Sequence, residues 1–146
     1  MIAEGLDELE RAMAAHRPGP YQVQAAIAAL HDRAARPEDT DWPQIVALYT
    51  TLAAMSPSPV VGLNRAVAVA MADGPGTGLP LVDALQGELD RYHLFHSARA
   101  DLLRRLQRND ESAIAYRRAL ELATNPRERT FLERRLRDVT APSPGT

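Results

Sequence analysis

Cysteine is absent from the 146 residues, so a disulfide framework and any zinc site built on thiolates are excluded. Lysine is absent too. All 17 basic residues are arginine, a pattern that resembles codon bias in a GC-rich, actinobacterial genome more than a chemical requirement. Aromatic side chains are scarce, at 5% of the chain, while alanine is abundant, which suits close-packed helices better than a sheet. No apolar run approaches the roughly 20 residues that a membrane span needs. The start, Met1-Ile-Ala-Glu-Gly, lacks the basic and apolar regions of a signal peptide. A cytoplasmic protein is the expectation. The length is enough for one domain with a true core.

Charge is present in both signs but unevenly placed. Residues 1–90 hold 5 arginines against 12 acidic residues, a balance of −7, and residues 91–146 hold 12 against 7, a balance of +5. Such asymmetry can steer a partner or simply mark two solvated faces.

The periodicity is helical throughout. Ile2, Leu6, Leu9 and Met13 form one stripe. Pro20 opens a second helix, with Val23, Ile27 and Leu30 on one face, and Arg36-Pro37 breaks it. Thr40 or Asp41 caps a third helix whose inward stripe is Trp42, Ile45, Val46, Tyr49, Leu52 and Ala53. After Ser56-Pro-Ser-Pro59 a fourth carries Val60, Leu63, Val67 and Met71, and it stops at Asp73-Gly-Pro-Gly76. A fifth covers Leu79 to Leu89. Tyr92 to Leu122 reads as a helical hairpin with a polar turn at Gln107-Arg-Asn-Asp110. Small residues in it (Ala98, Ala100, Ser112, Ala113, Ala119) fall where helices must approach closely. Large ones (Leu103, Leu106, Ile114, Tyr116, Leu120) fall between them. Pro126 opens the last helix, with Phe131, Leu132, Leu136 and Val139 inward, and residues 141–146 form a polar tail expected to be disordered. The expected fold is therefore all-α: one domain over residues 1–140, a tetratricopeptide-like right-handed stack of about eight helices. The pairs Trp42–Met71 and Tyr92–Leu122 share a layout, but the insert at 74–91 spoils a strict repeat.

Chemistry is sparse. No Gly-x-Ser-x-Gly elbow occurs, and Gly74-Pro-Gly-Thr-Gly78 lacks the ending of a phosphate loop. No catalytic residue, cofactor or metal is expected; His93 and His96 stand three apart on a helix but lack an obvious third ligand. Polar stripes are the candidates for binding. Tyr21, Gln24 and His31 share a face of the second helix, Tyr92, His96 and Arg99 share a face of the sixth, and Asn64 and Arg65 sit on the fourth. If they converge they would line one polar groove for a peptide or small ligand, with Arg99 as the fixed cation. The competing reading is that they cap and bridge helices. The arginines of the last third alternate with Glu111, Glu121, Glu128 and Glu133, which favours ion pairs over DNA binding.

Four stretches taken together carry a resemblance. They are Gly19-Pro-Tyr-Gln-Val-Gln-Ala-Ala-Ile-Ala-Ala-Leu-His31, Asp41-Trp-Pro-Gln-Ile-Val-Ala-Leu-Tyr49, Ser58-Pro-Val-Val-Gly-Leu-Asn-Arg-Ala-Val-Ala-Val-Ala70, and the Tyr92–Leu122 hairpin continuing into Asn125-Pro-Arg-Glu-Arg-Thr-Phe-Leu-Glu-Arg-Arg135. The chain resembles the C-terminal tetratricopeptide-like extension of extracytoplasmic-function (ECF) RNA polymerase sigma factors over almost its whole length. Nothing in it resembles the promoter-reading sigma domains, so Met1 is expected to be internal or supplied by cloning. The resemblance implies a regulatory, protein-interaction role through contacts with the sigma core in cis, RNA polymerase or a regulatory protein. It implies no catalysis, no specific DNA binding by this segment and no membrane. The alternative is a small-ligand or peptide sensor that uses the polar groove.

Overall fold

In a computed structural model of the chain, residues 19–33 and 37–141 are described. The stripe Ile2–Met13 and the tail beyond Ala141 lie outside them. Every regular element among the described residues is helical. The described residues group into two compact units, divided between Ala72 and Asp73.

The first unit holds α1 (Pro20–Arg33), a short 3-10 turn (Pro37–Asp39), α2 (Trp42–Met55) and α3 (Pro59–Asp73). Its boundaries follow local chemistry. Pro20 and Pro59 sit at first helical positions, where a missing N–H is harmless. Asp41 caps α2 by accepting the Gln44 N–H at 3.2 Å, with Pro43 in the first turn. The core joins Val23, Ala26, Ile27 and Leu30 of α1 to Ile45, Leu48 and Leu52 of α2 and Ala68 of α3. The expected α1 stripe is thus buried, while the α2 stripe is rotated. Leu48 is buried, and Trp42, Val46 and Tyr49 only flank the core. Trp42 therefore contributes less than a buried indole would. On α3 the apolar stripe differs from the expected one. Val60 and Met71 are exposed, and the buried set is Leu63, Ala66, Ala68, Val69 and Ala70. Alanines pack closely without large side chains, so size alone misleads about which face turns inward.

The second unit holds α4 (Pro75–Asp83), α5 (Gln86–Leu89), α6 (His93–Arg105), α7 (Asn109–Leu122) and α8 (Pro126–Thr140). The expected helix over Leu79–Leu89 is in fact two. Gly74, at φ 104°, caps an earlier start at Pro75, and the chain turns at Ala84-Leu85 before α5. Gly74 did mark the end of α3, but Pro75 begins the next helix at once. α4 packs on α6, α6 on α7 and α7 on α8. The α6–α7 turn is closed by Gln107 in the left-handed region, φ 61°. The Gln107 N–H donates to the Arg104 carbonyl and the Arg108 N–H to the Leu103 carbonyl, both at 2.9 Å. This pair of bonds satisfies carbonyls that the helix end would otherwise leave open. Asn125 caps α8, its side-chain oxygen accepting from the N–H groups of Arg127 and Glu128.

Small residues set the α6–α7 approach. Ala100, Ser112 and Ala119 are fully buried, and the Ser112 hydroxyl donates to the Ala100 carbonyl at 2.8 Å across the two helices. Leu103 and Tyr116 fill the space beside them, as expected. Ile114 and Phe131 do not: they are 64% and 51% exposed. Ile114 stands two residues from both Ser112 and Tyr116, which places it opposite the buried line of α7. Phe131 lies under the Arg135 guanidinium, 5.3 Å from ring centre to Cζ, and leaves the inward face of α8 to Leu132 and Val139.

Tyr116 carries a tension of its own. Its ring is buried, and its hydroxyl lies near Arg104 but makes no hydrogen bond of good geometry among the described residues. Burial pushes the phenol's pKa up, with Arg104 close enough to oppose this in part. Arg104 donates through Nη2 to Asp101 at 2.6 Å. Tyr116→Phe is therefore expected to leave stability unchanged or raise it by up to about 1 kcal/mol, because the deleted hydroxyl was desolvated without compensation. A melt showing a loss of more than about 1 kcal/mol would mean that the hydroxyl has a partner.

Candidate functional site

The eight polar positions singled out by periodicity divide between the two units. Gln24, His31 and Asn64 line one cavity, of 360 Å³, within the first unit. His96 and Arg99 line another, of 450 Å³, within the second. Tyr21, Arg65 and Tyr92 line neither.

The first cavity is uncharged. Ile27 of α1, Leu52 of α2 and Val61 of α3 give it apolar walls, and Gln24, His31, Tyr49 and Asn64 give it polar ones. The spacing of Gln24, Ala28 and His31 on α1 brings all three to one side, as the stripe implied. His31 is held edge-on to Trp42, with centroids 5.4 Å apart. Among the described residues none of these four side chains makes a hydrogen bond to another. Burial raises the Tyr49 phenol's pKa. Tyr49 lies on the stripe of α2 expected to face the core, yet only flanks that core; its half-buried ring and polar tip are what a site residue would show. Arg65 has a bracing role: its Nε donates to the Thr50 hydroxyl at 2.9 Å and ties α3 to α2. Tyr21 stands 72% exposed.

The second cavity is charged and lies among α5, α6 and α7. His96 is buried, and its Nε2–H donates to the Asp90 carbonyl at 2.6 Å, which places a proton on that nitrogen. His93 turns elsewhere, pairing through Nδ1 with Glu128 of α8, so the two histidines serve different partners. Tyr92 precedes α6 and packs edge-on to His93. Arg99 donates through Nε to Asp83 at 2.7 Å. Arg118 reaches Glu121 at 2.9 Å and the Asp90 carbonyl and carboxylate at 3.4 and 3.7 Å. Gln86, Ile114, Ala115 and Arg117 complete the lining. Periodicity missed the α7 side of this cavity. The signal was there in Ile114, Arg117 and Glu121, three and four residues apart, but it was assigned to helix packing and ion pairs.

Among the described residues no group of three or more His, Asp or Glu side chains is placed to hold a metal ion, and no helix is long and apolar enough to cross a membrane. Among the described residues the class defined here is an all-helical protein with a cavity in each unit. The chain is 49% identical over all 146 residues to an uncharacterized protein of Rhizobium meliloti (strain 1021). It spans about a third, 34%, of that curated relative's length. That organism lends no support to the actinobacterial source expected from arginine usage. No family model matches the chain, and no solved structure matches it.

Proposed function

We propose that the chain is the regulatory, protein-interaction part of an ECF sigma factor, a tetratricopeptide-like stack that acts in the cytoplasm on the sigma core or RNA polymerase. The observation that carries this is the succession α6–α7–α8. Each helix packs on the next, the close approach is made by Ala100, Ser112 and Ala119, and polar side chains are left to line a surface cavity. Stacked helices of this kind present extended surfaces to partners. The four stretches that resemble the sigma extension fall on α1, α2, α3 and α6–α8, so the resemblance lies on most of the elements that line the cavities, α5 excepted. A relative about three times as long as the chain is in keeping with a segment of a larger protein.

A second reading has its own support. The uncharged first cavity, with Gln24, His31, Tyr49 and Asn64 unbonded to one another, suits a neutral polar ligand, as a sensor domain would need.

The test is association in solution. The purified chain, titrated into the sigma core domains of its parent and into core RNA polymerase, is expected to bind at least one of them with saturable heat or anisotropy change. It is expected not to retain promoter duplex over scrambled duplex at physiological salt, because its acids offset its arginines. Specific retention of promoter DNA, or failure to bind either protein, would contradict the proposal.

A further inference from the structure

The second cavity contains an arginine that makes no ion pair among the described residues. α7 brings Ile114, Arg117, Arg118 and Glu121 to one side, since they stand three, four and seven residues apart. Arg118 is committed to Glu121 and Asp90, and Arg99 to Asp83. Both acids that line the cavity, Asp90 and Glu121, are therefore already answered by Arg118. Arg117 lines the same space and makes no ion pair or hydrogen bond among the described residues. One turn before it Ile114 is 64% exposed, the most exposed large aliphatic side chain among the described residues. A lone surface isoleucine is ordinary. An exposed isoleucine beside an unpaired arginine, both lining a 450 Å³ cavity, is a matched pair of recognition elements.

We infer that this cavity binds a short peptide segment of a partner protein in which a carboxylate side chain lies next to a large apolar one. The Arg117 guanidinium takes the carboxylate, in the fork geometry that arginine offers and a lysine would not. Ile114 and Ala115 take the apolar side chain. The spacing agrees: residues three apart on a helix have Cβ atoms about 5–6 Å apart, and alternate residues of an extended peptide are roughly 6.6 Å apart on one face. A nucleic acid fits less well. Its phosphates would also suit Arg117, but a polyanion would meet Asp90 and Glu121 in the same cavity. One carboxylate per site meets one unpaired cation. The inference rests on the protein-interaction reading above but not on the sigma assignment.

The experiment selects twelve-residue peptides from a random display library on the immobilised full chain, then measures the enriched peptides by fluorescence anisotropy. Enriched sequences are expected to place Asp or Glu within two positions of Leu, Ile, Val or Phe. Arg117→Ala should weaken the best peptide at least about tenfold, as loss of a charge-assisted bond does. Ile114→Ala should weaken it by about three- to tenfold. Arg134→Ala, which removes an exposed cation from α8, should change it less than twofold and so controls for net charge. Both cavity residues are exposed, so all three variants should melt with the wild type. Enrichment without acidic residues, no enrichment over a blank surface, or equal loss in Arg117→Ala and Arg134→Ala would each overturn the inference. Arg117-dependent peptides from a chain that binds neither the sigma core nor RNA polymerase would sink the sigma assignment and leave this site standing. The reverse pattern would sink this site alone.

Discussion

Phe95→Ala is expected to destabilise the second unit by about 3–5 kcal/mol, the range for truncating a fully buried aromatic ring. Phe95 is 0% exposed on α6, on the same helix as the buried Ala100, Leu102 and Leu103. Its ring also stands edge-on to His96, with centroids 5.0 Å apart and planes at 86°. That contact, with the Asp90 carbonyl bond, holds the histidine in the cavity wall. The truncation should therefore act twice. The melting temperature should fall by at least about 10 °C, since 1 kcal/mol shifts a domain of 60–100 residues by roughly 4–8 °C. Peptide binding at the cavity should weaken in whatever fraction stays folded. Phe131→Ala provides the contrast, because that ring is 51% exposed and should cost little. A Phe95→Ala melt within about 1 kcal/mol of wild type would show that the ring is not the core residue its burial indicates.

The helix boundaries were legible because they rest on local chemistry. Pro20, Pro59 and Pro126 at helix starts, Asp41 and Asn125 as caps, and the break near Gly74 act within a few residues of themselves. The inward faces were only partly legible. α1 buries its large residues, so Val23, Ile27 and Leu30 read correctly. α3 and α7 bury alanines beside Leu63, Val69 and Tyr116, and there some large side chains point elsewhere: Val60, Met71 and Ile114 are exposed. Alanine has no strong inward signature, and only tertiary contact tells which of several alanine lines is packed. The break between α4 and α5 was hidden for a different reason. Gly78 and Pro80 weaken the start of the expected Leu79–Leu89 helix, yet both are accommodated inside α4.

The sites divide along the same line. Gln24 and His31 could be paired from spacing, because one helix positions both. That Tyr49 and Asn64 join them depends on how α2 and α3 pack. His96 and Arg99 were recognised as neighbours, but their partners, the Asp90 carbonyl and the Asp83 carboxylate, come from the turns around α5. Which arginine of the second cavity is left without an ion pair among the described residues cannot be read from a sequence with 17 of them. It emerges only when Asp83, Asp90 and Glu121 are seen to be taken by Arg99 and Arg118.

The central claim is that these helices regulate a sigma factor, and transcription in vitro tests it most directly. Core RNA polymerase would be reconstituted with the intact parent protein or with the same protein lacking this segment, on the parent's own promoter. Regulatory coupling between sites typically amounts to about 1–3 kcal/mol, or roughly 5–150-fold. Removal of the segment is accordingly expected to change the yield of transcript by at least about fivefold, with the sigma domains still folded and still bound to polymerase. Equal transcription by the two proteins across a range of sigma concentrations, or a parent that supports no promoter-dependent initiation at all, would contradict the account.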